Sequence, residues 1–128
     1  MILGIGTDLC DVVRISQAID RHGIRLAQRI LVGRELARYE HHVRPANFLA
    51  KRFAAKEALS KALGTGIRAP VNWHNIEVRN APSGRPYFEP SSRLRDYLTS
   101  RGIAEILLSI TDERTMACAF VVLQGNTQ

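Results

Sequence analysis

Three residue types in this chain are suited to handling charge on phosphate, and they recur at suggestive places. Glu57 lies inside a run rich in alanine and leucine, and Lys61 follows four residues later, so a helix over this run would carry both on one face. A carboxylate in a helix packed on several sides needs a cation or a metal to be tolerated. On a solvated face the same pair would be an ordinary Glu–Lys contact, worth about 0.3–0.5 kcal/mol. Asp8 follows Gly6-Thr7 in an apolar segment. Mg²⁺ is held by one or two carboxylates together with waters and phosphate oxygens, so Asp8 with Glu57 would supply a sufficient protein share. Short polar residues beside glycine are also plain turn formers, and spacing alone does not bring residues 8 and 57 together.

Around these lie the glycine turns and the basic residues. Gly64-Thr65-Gly66 follows Lys61, the reverse of the glycine–lysine order of a phosphate-binding P-loop. It would serve as a helix C-cap, or as a place where a phosphate-bearing ligand meets the backbone. Gly84-Arg85-Pro86 reads as a hairpin turn or a second ligand edge. The four histidines have no zinc spacing, and no Ser-His-Asp order or nucleophile elbow is present. Cys10 and Cys118 fall in apolar segments and read as core thiols, too few for a disulfide framework.

The elements that must position these residues are legible in outline. Residues 46–63 form the strongest helix, preceded by Pro45, with Asn47 as N-cap and Gly64 as the residue past its end. Residues 1–13 read as a strand with Met1, Leu3 and Ile5 on one face, loosening at Gly6-Thr7-Asp8. Residues 15–27 read as two short helices broken at Gly23, and residues 32–39 as a turn into another. Ile76 and Val78, and residues 85–88, suggest two short strands about a turn at 80–84. A helix starts at Pro90-Ser91-Ser92 and ends at Gly102, and residues 106–111 and 115–123 form a hairpin. The fold class is α+β, an antiparallel sheet packed against one long central helix, in a single domain over residues 1–128.

With 128 residues, 45% hydrophobic and 23% charged, the composition is that of a globular domain able to bury a core. No apolar run is long enough to span a bilayer, and the N-terminal segment lacks the pattern of a signal peptide, so a cytoplasmic setting is expected. The net charge of +6 is uneven: residues 14–61 hold eleven basic and four acidic residues. Such a field suits a polyanion or an acidic protein. Nucleic acid is disfavoured, since aromatics are only 6% and not interleaved with the basic residues. An RNA-binding module and a non-catalytic adaptor for an acidic protein stay open on the residues alone.

GIGTDLCDVVRI at 4–15, FLAKRFAAKEALSKALGTGI at 48–67, GRPYF at 84–88 and SITDERTMACAFVV at 109–122 resemble, in order and nearly end to end, the bacterial holo-acyl-carrier-protein synthases. These are small, single-domain 4′-phosphopantetheinyl transferases. The resemblance implies transfer of 4′-phosphopantetheine from coenzyme A to a serine of apo-acyl carrier protein, a step of fatty acid biosynthesis that releases adenosine 3′,5′-bisphosphate. It implies that Asp8 and Glu57 hold Mg²⁺ and that Lys61 faces the departing oxygen. The serine proton goes to a metal-associated water or a nearby carboxylate. It further implies that Arg52, Lys56, Lys61, Gly64, Thr65, Gly66, Gly84, Arg85 and Pro86 bind coenzyme A. Arg14, Arg21 and Arg25 are implied as the docking surface for the acidic carrier protein. A homotrimer with active sites between subunits is expected, with no nucleic acid or membrane partner. Asp112 stands where some relatives have histidine, so that histidine's role is not carried over.

Overall fold

The computed structural model describes residues 1–126. Its centre is α4 (Pro45–Leu63), and everything that matters for the site is arranged around this helix. Pro45 occupies the first turn, where a missing N–H costs nothing, and Arg44 is the N-cap without a side-chain cap bond. The expected Asn47 cap is therefore two residues inside the helix. Gly64 ends it in the left-handed conformation, φ 76°.

On one side α4 packs against a three-stranded antiparallel sheet of order β1-β5-β4, formed by β1 (Ile2–Asp11), β5 (Met116–Gly125) and β4 (Ile103–Asp112). The face toward the helix carries Cys10 of β1 and Ala117, Ala119, Val121 and Leu123 of β5, all buried. One feature of β1 differs from the sequence reading: the strand does not loosen at Gly6-Thr7-Asp8 but stays paired with β5 as far as Asp11 and Met116. Its apolar set lies on the outer face, with Leu3, Ile5 and Leu9 exposed, while Gly4, Gly6, Asp8 and Cys10 take the helix side. The glycines are there because α4 lies against them. A Cβ at Gly6 would sit 2.1 Å from the carbonyl oxygen of Ala58, and one at Gly4 2.4 Å from that of Ala62.

The other side of α4 is covered by α2 (Ile24–Ile30), α3 (Arg34–Glu40) and the hairpin of β2 (Ile76–Asn80) and β3 (Pro86–Pro90). The first helix, α1 (Val12–His22), follows β1 directly. Asp11 caps it by accepting from the amide of Val13 at 2.9 Å. Gly23, at φ 62°, separates α1 from α2 as expected. Helix α5 (Ser92–Ser100) starts at a Ser91 cap and leads into β4. Arg101, just beyond it, donates to the carbonyl of Leu63 at 3.2 Å and so ties α5 to the end of α4.

Candidate active site

The chain brings the two acids and the lysine together by crossing β1 with α4. Asp8 sits two residues past Gly6 on the strand face that meets the helix, and Lys61 is four residues past Glu57 on that helix. Because the glycines carry no Cβ, the helix backbone approaches closely enough for Lys61 Nζ to donate to Asp8 Oδ1 at 2.9 Å. Asp8 is largely covered, its side chain 12% exposed, while the Lys61 side chain is 53% exposed. Lys61 therefore pairs with Asp8 across the two elements, and not with Glu57 along the helix.

Glu57 lies close enough to Asp8 and Lys61 for their charges to act on its carboxyl. The Glu57 carboxyl is pushed above its ordinary range, first by burial and then by the negative charge of Asp8, with Lys61 acting in the opposite direction. The Lys61 ammonium is held above its ordinary value, chiefly by its hydrogen bond to Asp8. Two carboxylates repelling one another beside an exposed amine are a site that gains from a divalent cation. Among the described residues no third His, Cys, Asp or Glu joins them, so a cation there would take its other oxygens from water or substrate. The Cys10 thiol nearby is raised to about 11 by burial and by Asp8 and Asp11, so it is an inert core thiol as expected.

The glycine turn after α4 behaves as a helix cap. The amide of Gly64 donates to the carbonyl of Lys61, and those of Thr65 and Gly66 donate to that of Ser60. These amides are spent on the helix end and do not cradle a phosphate. The turn instead forms, with Arg68, Val71 and Tyr97, one wall of an open groove of about 440 Å³. Gly84, Arg85 and Pro86 lie at the hairpin tip, Gly84 and Arg85 exposed. The Asn80 side chain donates to the carbonyl of Gly84 and accepts from Arg38 and Arg52, which binds the tip to the first half of α4.

Two expected ligand residues are interior. Lys56 is fully buried, and its three N–H groups go to the carbonyl of Ile30, to Glu35 at 2.7 Å and to the carbonyl of Trp73 at 3.1 Å. No donor is left for a nucleotide, which corrects the reading of Lys56. Arg52 is 4% exposed, lies 4.4 Å from the centre of the Phe48 ring, and donates to Asn80 at 3.1 Å. Its guanidinium is likewise turned inward, away from any ligand on the surface. Burial lowers the Lys56 ammonium, against the pull of Glu35, and lowers Arg52 to about 10. Their counter-charge, Glu35, was missed in the sequence. Its signal was its place in the Val32-Gly33-Arg34-Glu35 turn, where a glutamate three residues on accepts the amide of Val32 in the manner of a helix cap.

Arg14, Arg21 and Arg25 are all exposed on α1 and the start of α2. Asp112 lies at the end of β4, 3.9 Å from Lys51. Asp112 is thus an acid facing a cation.

Comparison with known proteins decides the family. A family model described as the 4′-phosphopantetheinyl transferase superfamily matches residues 4–120. The chain belongs to that superfamily. Its curated relatives include a holo-[acyl-carrier-protein] synthase of Nitrosomonas europaea, 52% identical over 97% of this chain and 99% of that protein. Another, from Laribacter hongkongensis, is 52% identical over 98% of this chain and all of the relative. Among solved structures, the holo-[acyl-carrier-protein] synthase of Neisseria meningitidis superposes with a TM-score of 0.94 at 43% identity, covering 97% of this chain and 99% of that one. The synthase of Bacillus anthracis in complex with coenzyme A (3′,5′-ADP) gives 0.82 at 37% identity, covering 98% and 99%. The α+β fold expected from the sequence is the fold of these enzymes.

Proposed function

We infer that this chain is a phosphopantetheinyl transferase that moves 4′-phosphopantetheine from coenzyme A to a serine of apo-acyl carrier protein. The observation that carries this reading is the meeting of Asp8, Glu57 and Lys61 in a chain whose relatives, at half its residues identical and over nearly its full length, are holo-[acyl-carrier-protein] synthases. The family match over residues 4–120 supports a single transferase domain.

In this reading the serine hydroxyl attacks the pantetheine-side phosphorus of the coenzyme A pyrophosphate. A serine O–P bond forms, the P–O bond to the bridging oxygen breaks, and adenosine 3′,5′-bisphosphate leaves with that oxygen. Asp8 and Glu57 would hold Mg²⁺. Bound there, Mg²⁺ supplies charge neutralisation to the pyrophosphate. Lys61 is exposed and its pair with Asp8 is of the weak, exchangeable kind, so its ammonium is free to meet the bridging oxygen as negative charge grows. The serine proton goes to a water or a carboxylate of the same site. Coenzyme A would lie along the groove of Gly64, Thr65 and Tyr97, with the Gly84-Arg85-Pro86 tip as a further edge. Arg14, Arg21 and Arg25 would receive the acidic carrier protein. Asp8 and Arg14 are six residues apart, joined by the capped turn from β1 into α1, so a docked carrier lies next to the site.

A homotrimer is supported by the outer sheet face. Ile5, Val122 and Leu107 form one cross-strand row there, and Leu9, Cys118 and Thr111 another. Ile5 is 61% and Leu9 65% exposed, and Phe120 stands between the rows. An antiparallel sheet tolerates water on one face when that face is polar, and this one exposes Ile5, Leu9 and Phe120. Subunit association would cover it, and Phe120→Glu should shift the mass measured by light scattering to that of a monomer. No helix of the described residues is long and apolar enough to cross a membrane, and both cysteines are free, in keeping with a cytoplasmic setting.

The test is mass spectrometry of apo-acyl carrier protein incubated with this chain, coenzyme A and Mg²⁺. A gain of one phosphopantetheine, dependent on the metal, is expected. An unmodified carrier, with the protein folded and all components present, would leave only the binding role.

A further inference from the structure

Lys56 and Glu35 form an ion pair that solvent does not reach, on the side of α4 opposite the sheet. Glu35 accepts hydrogen bonds from Lys56 of α4, from the amide of Val78 of β2 at 2.8 Å and from the amide of Val32 before α3, with the Arg52 guanidinium 3.8 Å away as a second cation. Lys56 in turn reaches the carbonyl of Ile30 at the end of α2 and that of Trp73 before β2. Buried charges of this kind are costly and seldom improve stability over an apolar replacement, so a role beyond stability is worth seeking.

The geometry of α4 supplies one. Its contact with β1 runs along Ala58 and Ala62, one turn apart, against two glycines. That contact is a line of small groups. It fixes the distance between helix and strand, while α4 also packs on β5 and α1 through apolar contacts that carry no directed bond. Lys56 is two residues from Ala58, about 200° around the helix, and so grips the opposite side; Glu57 lies about 100° from each. The ion pair adds a directed hold behind a helix otherwise placed by packing, and so opposes its roll. Glu57 stands about 6 Å off the axis, so a roll of ~10° would move its carboxylate by ~1 Å.

We propose that the buried Glu35–Lys56 pair is a positioning device for the active site, setting the roll of α4 and with it the placement of Glu57 and Lys61 against Asp8. Glu35 and Lys56 are positioning residues and touch neither substrate nor metal. The proposal rests on the reading of Asp8 and Glu57 as the cation site.

The test is Lys56→Met in the full-length chain. It removes the tether while leaving Arg52 and Glu35 as a balanced pair, so no buried charge is stranded. Lys56→Gln, which keeps a donor for Glu35, is measured beside it and read in the same way if the methionine variant does not fold. Each is assayed well below its own unfolding temperature for Mn²⁺ binding by electron paramagnetic resonance without substrate, for kcat, and for the KM of carrier protein. Glu57→Gln serves as the reference. Mn²⁺ affinity is expected to fall about tenfold and kcat about ten- to a hundredfold, the scale of an ångström's misplacement. The carrier KM should change much less than kcat, because Arg14 and Arg21 stand on α1, to which neither Glu35 nor Lys56 is bonded. Wild-type Mn²⁺ affinity and kcat in the folded variants, with both lost in Glu57→Gln, would make the pair purely structural and overturn the proposal alone. Wild-type Mn²⁺ binding in Glu57→Gln would overturn the cation-site reading and the proposal with it.

Discussion

Adding one methyl group at position 6 tests whether the closeness of β1 and α4 is what assembles the site. In Gly6→Ala the new Cβ would stand 2.1 Å from the carbonyl oxygen of Ala58 and 2.6 Å from the amide nitrogen of Ala62, where ordinary contact begins near 3.4 Å. Both neighbours are backbone, so no side chain can turn aside. The strand is tied through Gly6 to Val121 of the central strand β5, which resists its withdrawal. The helix must therefore move outward by roughly 1 Å. Overpacking of this kind costs about 1–3 kcal/mol, which lowers the melting temperature by several degrees in a chain of this length. The same movement carries Glu57 and Lys61 away from Asp8 and stretches the 2.9 Å Asp8–Lys61 contact beyond hydrogen-bonding reach. Misplacement by an ångström costs on the order of a hundredfold in turnover. Phosphopantetheine transfer, followed as the mass gain of carrier protein, should thus fall far more than the loss of folded protein explains. Gly102→Ala is the control. It strains a residue at φ 74° with nothing within 4 Å, so it should lower stability by about 1 kcal/mol and leave kcat alone. If folded Gly6→Ala keeps near-normal turnover, the close approach is only packing and the account of the site is wrong.

Four further outcomes follow from the same geometry. Asp8→Asn removes the charge that repels Glu57 and only a solvent-screened ion pair, so the metal-free protein should melt at the same temperature or higher while transfer is lost; a large drop in melting temperature would show that Asp8 is chiefly structural. Lys61→Ala should lower kcat more than it raises the coenzyme A KM, because charge on the leaving oxygen exists mainly in the transition state; the reverse split would make Lys61 a ground-state grip. Changing Arg14, Arg21 and Arg25 together to glutamate should raise the carrier KM steeply and leave the coenzyme A KM unaltered, and the wild-type reaction should slow with salt; unchanged kinetics at low salt would reduce these arginines to a solvated face. The raised Glu57 carboxyl binds a proton more readily in the folded chain than in the unfolded one, so its contribution to the stability of the metal-free protein is present below 4.5 and is lost as pH rises through the raised value. Added Mg²⁺ should therefore raise the melting temperature at neutral pH by an increment that shrinks on acidification through that window, and an increment independent of pH would argue against Glu57 as a ligand.

The residue types of the candidate site were visible in the sequence, while their meeting was not. An aspartate after two glycines in a strand, and a glutamate with a lysine one turn on in an alanine-rich helix, limit the choices. The limits of that helix were also plain, since Pro45 and Gly64 are local signals that tertiary contacts rarely override. The orientation of β1 was not. Alternation separates the two faces of a strand but does not say which is inside, and here the inner face carries the smaller residues. Glycine scores as a loosener of strands, so its use as clearance for a helix backbone is invisible until the helix is in place. The inward course of Arg52 and Lys56 was hidden for a related reason. Basic residues belong at the surface unless paired, and the partner, Glu35, is 21 residues from Lys56 in another element.

The two hidden features are connected to the legible one. Asp8 and Glu57 are 49 positions apart, and neither residue contains any information that they meet. What makes them meet is a strand face stripped to glycine at positions 4 and 6, which lets the helix in, and a buried lysine at position 56, which holds the helix from behind. Substitutions at these places leave every charged group at the surface of the site unchanged. A site of this construction is therefore more fragile toward Gly6 and Lys56 than toward many residues that line it. That ordering of sensitivities distinguishes a geometry set by the scaffold from one set by the reacting groups themselves.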